Sequence, residues 1–185
     1  MKKTVLSFLV LFSFLAFTAF KMEDGKLVSK NSFIHIFSHT DAEDINADNY
    51  KAVSTLDPST GDVVVSVPMQ SFEFKKSLMQ EHFNSDKFLD TQTYPKAKFK
   101  GKITNLNEIN FSKDGIYNAT VNGEMTIKDV TKPVTEMGTI TIKQGVVSVE
   151  TKMNIILADY KIAFEKGKPS KNIAKTIEVT FKAEY

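Results

Sequence analysis

The feature that most constrains the fold is a two-residue alternation of apolar and polar side chains that recurs along most of the chain. It is cleanest over residues 176–185, where single polar residues separate Ile177, Val179 and Phe181. Successive side chains of a β-strand point to opposite faces, so the pattern predicts strands with one buried face. Similar runs predict further strands over residues 27–38, 50–56, 62–69, 97–105, 117–122, 124–128, 134–143 and 146–157.

Short segments with the composition of turns separate these runs. Residues 57–61 read Asp-Pro-Ser-Thr-Gly, and residues 143–145 read Lys-Gln-Gly. Around eight strands with mostly short connections predict an all-β antiparallel barrel or sandwich. An eight-stranded barrel is either filled by its own side chains or just wide enough for one slender ligand. The alternation leaves both interiors open.

Two stretches depart from the alternation. Over residues 74–83 the period becomes helical, with Phe74, Leu78 and Met79 on one face, which predicts a short helical insert. Residues 40–49 are acidic and polar, and they predict a short turn of helix that begins at Thr40 or the next residue, Asp41.

The start of the chain has the form of a secretory signal. Lys2 and Lys3 precede an uncharged run rich in Leu, Phe and Val that ends before Lys21. A signal over residues 1–20 predicts one exported domain over residues 21–185, periplasmic or secreted. An uncleaved anchor is the alternative, because the run is near the lower length limit of a membrane span. With no Cys, we expect neither a lipid-modified cysteine nor a disulfide.

The charge composition argues against a nucleic-acid partner. All 24 basic residues are Lys, and without Lys2 and Lys3 the remaining 22 balance the 22 acidic residues. Arg, which binds phosphates and base edges in bidentate fashion, does not occur in the sequence.

Side chains suited to catalysis or metal binding are few. The chain has three histidines, His35, His39 and His82, and no thiol, and no nucleophile lies at a recognisable spacing from a base. His35 and His39 would share a strand face but lie about 13 Å apart, too far to bind one metal ion without a bend. We therefore expect no catalytic residue, no metal site and no enzymatic activity.

Two segments in the middle of the chain carry the most specific pattern. Residues 81–99 read EHFNSDKFLDTQTYPKAKF, and residues 126–134 read TIKDVTKPV. They resemble the YceI-like family of secreted polyisoprenoid-binding proteins, whose members carry H-L-x-S-x-x-F, Y-P-x-x-x-F and G-x-L-T-L-x-G-V-T-K-P-V. The matching positions are His82, Ser85, Phe88, Tyr94, Pro95, Phe99, Gly123, Met125, Thr126, Ile127, Val130, Thr131, Lys132, Pro133 and Val134.

The resemblance implies a lipocalin-like, eight-stranded antiparallel barrel with a short helical insert that holds an isoprenoid chain along its axis without turnover. The implied partner is an isoprenoid or other long-chain lipid, with a quinone or polyprenyl phosphate head group, and no cofactor besides such a lipid. Membrane contact would be only transient, and a homodimer is an open alternative to a monomer. The chain departs from the family in its long acidic residues 41–49 and at Asp129, where the family has Gly.

Apolar side chains at inward-facing positions are the candidates for the lining of such a lumen. The chain has 15 Phe and 5 Tyr but no Trp, and these rings either fill a core or line a lipid site. The candidate ligand-binding residues are Phe33, Phe37, Phe72, Phe74, Leu78, Met79, His82, Phe83, Phe88, Phe99, Val121 and Phe181. His82 would either bind a polar head group at the barrel mouth, or have a structural role in which it caps the helix or ties it to a neighbouring strand.

Two other classes of protein fit the alternation. A filled β-barrel without a lipid ligand would act as an interaction module. An outer-membrane barrel also has period-two strands, because alternation alone does not tell which face is outside. A helical segment and several short strands argue against the membrane barrel.

Overall fold

The computed structural model describes residues 25–162 and 171–185, and the backbone of residues 164–165 and 168–169. The expected signal over residues 1–20 lies outside the described residues. The strands are β1 (Leu27–Val28), β2 (Asn31–His39), β3 (Asp44–Asn49), β4 (Val53–Leu56), β5 (Asp62–Pro68), β6 (Glu73–Phe74), β7 (Lys96–Ile103), β8 (Gly115–Ile127), β9 (Val130–Lys143), β10 (Val146–Ile156), β11 (Phe164–Glu165), β12 (Lys168–Pro169) and β13 (Thr176–Glu184). Helix α1 is Ser77–Asn84, and short 3₁₀ turns cover Met69–Ser71, Leu106–Glu108 and Leu157–Tyr160.

Within the described residues, eleven strands form one antiparallel sheet in the order β1-β4-β5-β7-β8-β9-β10-β13-β2-β3-β6. The sheet curls into a half-barrel, and β11 pairs with β12 in a separate hairpin. The all-β antiparallel class and the short helix are confirmed, whereas the expected count of eight strands is wrong. Strands β1 and β6 have only two residues each, too few to show an alternation in the sequence.

The first predicted strand, over residues 27–38, is two strands with different partners. Strand β1 pairs with β4, and β2 pairs with β13. The chain changes partner at Ser29, whose N–H donates to the Ser54 carbonyl at 2.8 Å, and at Lys30, whose N–H donates to the Glu184 carbonyl at 2.7 Å. Residues 29 and 30 thereby link β4 to β13 and hold these two strands of the curled sheet together at this end.

Residues 40–49 form the turn and second strand of a β-hairpin, so the expected turn of helix is wrong. Thr40 and Glu43 exchange backbone hydrogen bonds of 3.1 and 3.2 Å, and the Glu43 N–H also donates to the Thr40 hydroxyl at 3.1 Å. Strand β3 then pairs with β2 along its whole length. Ile45 and Ala47 alternate with polar residues and face inward, but the acidic composition of the segment makes this alternation hard to recognise. Pairing with β2 overrides the local preference for a helix.

Strand β8 runs unbroken through Gly123, where the sequence predicted two separate strands. Gly123 faces Gly101 of β7 in register, and the ring of Phe99 lies over both glycines. A Cβ atom on Gly123 would lie 2.5 Å from the Lys100 carbonyl oxygen and 2.8 Å from the Phe99 ring. The glycine therefore permits a close approach inside a strand and does not end it.

The inner face of the sheet is apolar, whereas the outer face mixes polar side chains with exposed apolar ones such as Val64 and Ile116. In β13, Ile177, Val179 and Phe181 are buried, as the alternation predicted. The outward positions of β7 are exposed lysines, namely Lys96, Lys98, Lys100 and Lys102. No helix among the described residues is long and apolar enough to cross a membrane.

Candidate functional site

The curled sheet surrounds a cavity of about 1090 Å³. Its lining is mainly apolar, and strands β2, β5, β7, β8, β9, β10 and β13 contribute to it together with α1. Small-molecule sites in proteins are clefts of about 300–1,000 Å³ with mostly hydrophobic walls and a few polar groups. The cavity therefore has room for a large apolar ligand, and the side chains of the described residues do not fill the interior.

Four phenylalanines form one wall of the cavity. Phe83, the buried residue of α1, has its ring centroid 5.3 Å from that of Phe72, 4.9 Å from that of Phe74 and 6.2 Å from that of Phe88. Tilted aromatic pairs at such separations are favourable beyond the area that they bury. All four rings also line the cavity, so the same contacts hold the helix and shape the site.

The structure brings nine of the twelve predicted ligand-binding residues to the cavity. These are Phe72, Phe74, Met79, His82, Phe83, Phe88, Phe99, Val121 and Phe181. Contact of these side chains with a ligand stays a prediction. Phe33, Phe37 and Leu78 are not part of the cavity lining.

The prediction that Phe33 and Phe37 line the lumen is wrong, because the register of β2 puts them on the other face of the strand. Ile34 and Ile36 of the same strand line the cavity, so the two phenylalanines lie on the outer face. The ring of Phe33 packs there against Tyr50, with the centroids 5.2 Å apart. Both faces of β2 are apolar in sequence, and only its pairing with β13 and β3 decides which one turns inward.

Leu78 lies on the solvent side of α1. The helix begins at Ser77, three residues later than predicted, so Phe74 belongs to β6 and cannot share a helical face with Leu78. Met79 and Phe83 are spaced i, i+4 on the face that lines the cavity. Leu78 is 59% exposed.

The histidines of β2 bind aspartates of the neighbouring strand. His35 Nδ1 lies 2.7 Å from Asp48 Oδ1, and His39 Nδ1 lies 2.5 Å from Asp44 Oδ1. Each pair joins residues that face each other in the β2–β3 ladder. Among the described residues, no three His, Cys, Asp or Glu side chains come together in a way that could hold a metal ion.

His82 lies in the last turn of α1 and lines the cavity with an exposed side chain. Its carbonyl oxygen accepts hydrogen bonds from the Ser85 N–H at 3.3 Å and the Ser85 hydroxyl at 2.8 Å. Ser85 therefore ends the helix by donating both bonds to the backbone of His82. The imidazole takes no part in this cap and lies at the rim of the cavity.

One lysine joins the two segments that carry the family pattern. Lys128 Nζ donates to the Phe88 carbonyl at 2.9 Å and lies 5.8 Å from the centroid of the Tyr94 ring. Lys128 has a φ of 55° in the tight turn between β8 and β9, next to Asp129. The turn thereby holds the loop after α1 against the end of β8, which explains why both segments belong to one pattern.

Sequence reasoning missed Glu136, a carboxylic acid on the cavity wall. Its parity in β9 is that of Val134 and Gly138, so a charged residue in an inward-facing series was the available signal. Burial raises the pKa of Glu136, because the carboxylate loses solvation. Burial also raises the pKa of the Tyr160 phenol, and the charges of Asp159 and Glu136 add to that rise.

Strands β9 and β10 separate beside Glu136. Their ladder ends at the pair Gly138–Thr151, although β9 begins at Val130 and β10 continues to Ile156. Within the described residues no further pairs join the two strands. Side chains of both strands line the cavity along this separation.

An antiparallel sheet curled around an apolar cavity defines a lipocalin-like binding fold. The profile of the YceI-like domain matches residues 26–185, and the chain belongs to the YceI-like family. A comparison with curated proteins gave no match.

Solved structures share the fold over most of their length. BcnA of Burkholderia cenocepacia superposes with a TM-score of 0.68 at 17% identity, over 83% of this chain and 96% of that one. A polyisoprenoid-binding domain from Saccharophagus degradans gives 0.72 at 12% identity, over 87% and 97%. The YceI protein of Campylobacter jejuni gives 0.57 at 20% identity, over 74% and 80%. At these identities the likeness shows the fold alone.

Proposed function

We propose that this protein binds and carries an isoprenoid lipid in its cavity without changing it chemically. The observation that carries the proposal is an apolar cavity of about 1090 Å³ in a YceI-like chain. The description of the Saccharophagus degradans neighbour as a polyisoprenoid-binding domain supports the same class of ligand here. The cavity also favours this function over a filled interaction module, which would need no internal space.

Burial of the tail provides the driving force for such binding. Transfer of apolar groups from water is worth about 0.8 kcal/mol per CH₂, so a tail of about twenty carbons contributes on the order of 16 kcal/mol. Association costs about 4–15 kcal/mol, and a micromolar complex needs a net of about 8 kcal/mol. A prenyl chain of this length therefore brings micromolar affinity within reach, with little demand on side-chain geometry.

The route of the lipid follows from the expected location. A secretory signal over residues 1–20 would place the carrier in the periplasm or outside the cell, where it would exchange lipid with membranes in transient contact. Release by osmotic shock without detergent is the expected behaviour and tests the location. Homodimer formation is a separate prediction, which sedimentation of the purified protein tests.

Lipid extraction of the purified protein, followed by mass spectrometry, tests the function. We expect a co-purifying isoprenoid in the wild type and its loss in Val121→Trp, because Val121 lines the cavity and a larger ring would occupy it. The matched control is Asn122→Trp, one residue along β8 on the exposed outer face, which should retain the lipid. A lipid-free wild type that also fails to take up added prenol would contradict the proposal.

A further inference from the structure

Glu136 stands apart from the other lining residues by its chemistry. Its carboxylate belongs to the cavity wall, and its same-face neighbours on β9 are Val134 and Gly138. The residue opposite it in the β8–β9 ladder is Val121, which also lines the cavity. A carboxyl group in such surroundings loses solvation, and an apolar residue at this position would avoid that cost if the cavity bound only an apolar tail.

The carboxylate has no ion-pair or hydrogen-bond partner among the residues that the structure describes. The neighbouring 3₁₀ turn carries the acidic Asp159 and the Tyr160 phenol, whose pKa is raised. Lys161, which follows the turn, is exposed and pairs with Asp129, with Nζ and Oδ2 3.8 Å apart. Burial is the cause of the raised pKa of Glu136, and within the described part of the chain no lysine forms an ion pair with it. The carboxyl group of Glu136 is therefore available for a hydrogen bond with a ligand.

Other charged residues that line the cavity are either paired or exposed on different elements. Glu43 is bound to Lys76, with Nζ and Oε1 2.9 Å apart. Lys87 follows α1 and Lys98 lies on the outer face of β7, and both are exposed. Lys87 could receive an anionic head group at the helix side of the cavity, which makes it the rival site.

The end of the β9–β10 ladder places Glu136 where a head group can be accommodated. The last ladder pair is Gly138–Thr151, and the Thr151 hydroxyl is already engaged with the Met137 carbonyl at 2.7 Å. Glu136 is the next inward residue beyond that pair. Glu136 and Thr151 therefore place polar groups at the point where the two strands separate, in a wall that is otherwise mainly apolar.

We propose that Glu136 receives the head group of the bound lipid and selects a neutral head that carries a hydroxyl or carbonyl oxygen over a phosphate. This inference rests on the proposed function and narrows its ligand class. An ionised carboxylate accepts a hydrogen bond from a hydroxyl, and a protonated one donates to a carbonyl oxygen. A phosphate would meet a like charge in a partly buried site, where the repulsion is stronger than in water.

Binding of two ligands that differ only in the head group tests the inference. Geranylgeraniol and geranylgeranyl phosphate are titrated at pH 7.5 into wild type, Glu136→Gln and the control Glu124→Gln, whose side chain is exposed on the outer face of β8. We expect wild type to prefer the alcohol at least tenfold. Glu136→Gln should reduce that preference about tenfold, chiefly by tighter binding of the phosphate, and Glu124→Gln should behave as wild type.

The outcomes separate this inference from the function on which it rests. Equal affinity of wild type for both ligands, or an unchanged preference in Glu136→Gln, overturns the role of Glu136 and leaves lipid binding intact. Tight phosphate binding that Lys87→Ala removes also overturns it, because the head group then lies at the helix side. If neither ligand binds, the proposed function itself fails. The wild-type preference needs no variant, so a folding defect cannot hide the result.

Discussion

Tyr185 closes the end of the sheet at which β4 and β13 are drawn together. Its hydroxyl forms a buried hydrogen bond with the Ser54 hydroxyl, and its N–H donates to the Val147 carbonyl at 2.9 Å. Burial raises the pKa of Tyr185, and the Ser54 hydrogen bond partly opposes that rise. The phenol is therefore neutral under ordinary conditions and acts as a structural hydrogen-bonding group.

Removal of that hydroxyl should be costly because its partner stays buried. Tyr185→Phe leaves the fully buried Ser54 hydroxyl unpaired, and we expect a loss of about 1–3 kcal/mol in the free energy of unfolding. Denaturant unfolding of Tyr185→Phe, Ser54→Ala and the double variant measures it. The double variant should lose less than the sum of the single losses; strict additivity would show that the bond contributes nothing.

Glu136 should make the stability of the protein depend on pH. Its folded pKa is raised, whereas the unfolded value is about 4.3, so its carboxyl favours folding only while protonated. That contribution is fully present below about pH 4.3 and is lost as the pH rises through the folded pKa. Glu136→Gln should therefore be more stable than wild type at pH 7 by less than about 1 kcal/mol, since solvent screens the partly buried group.

Denaturation midpoints of the two proteins between pH 4 and pH 8 measure this difference. The advantage of Glu136→Gln should shrink as the pH falls. A constant difference over the whole range would mean that Glu136 does not titrate as its surroundings predict.

Helix α1 is held by one face and free on the other. Phe83 is in contact with three other phenylalanine rings, whereas Leu78 is 59% exposed. Phe83→Ala should destabilise the protein by about 3–5 kcal/mol through lost packing and a new cavity. Leu78→Ala on the same helix should change stability by less than about 0.5 kcal/mol. Thermal or denaturant unfolding distinguishes them, and similar losses in both would refute this placement of the helix.

Among the strands, the sequence predicted those whose alternation is clear. It missed β3, whose alternation lies within an acidic segment, and did not separate out the two-residue strands β1 and β6. The long hairpin of β9 and β10 turns at Gln144 and Gly145, with φ values of 51° and 81°, within the predicted turn. Contrary to the sequence prediction, strand β8 is not broken at Gly123, because the missing side chain there leaves room for the Phe99 ring. A glycine in a strand pattern signals either event, and only the opposite strand decides which.

For the whole molecule, a bound lipid should stabilise the fold, since the unfolded chain offers no cavity. Geranylgeraniol at about a hundred times its Kd should add about 2.7 kcal/mol, which raises Tm by roughly 5–10 °C for a domain of this size. Differential scanning calorimetry measures the shift. Val121→Trp should show little shift and Asn122→Trp the full one, and an equal response of both variants would place the lipid outside the cavity.

The sequence by itself determined the all-β class, most of the longer strands, the helical insert and the family, because alternation and turn composition are local and the family pattern is read in order. It also supplied nine of the residues that line the cavity. Only the tertiary structure decided that Ile34 and Ile36 face inward instead of Phe33 and Phe37, that β9 and β10 separate, and that Glu136 faces the cavity. A period of two fixes that neighbours take opposite faces, but which face is inside depends on pairing with strands far away in the chain.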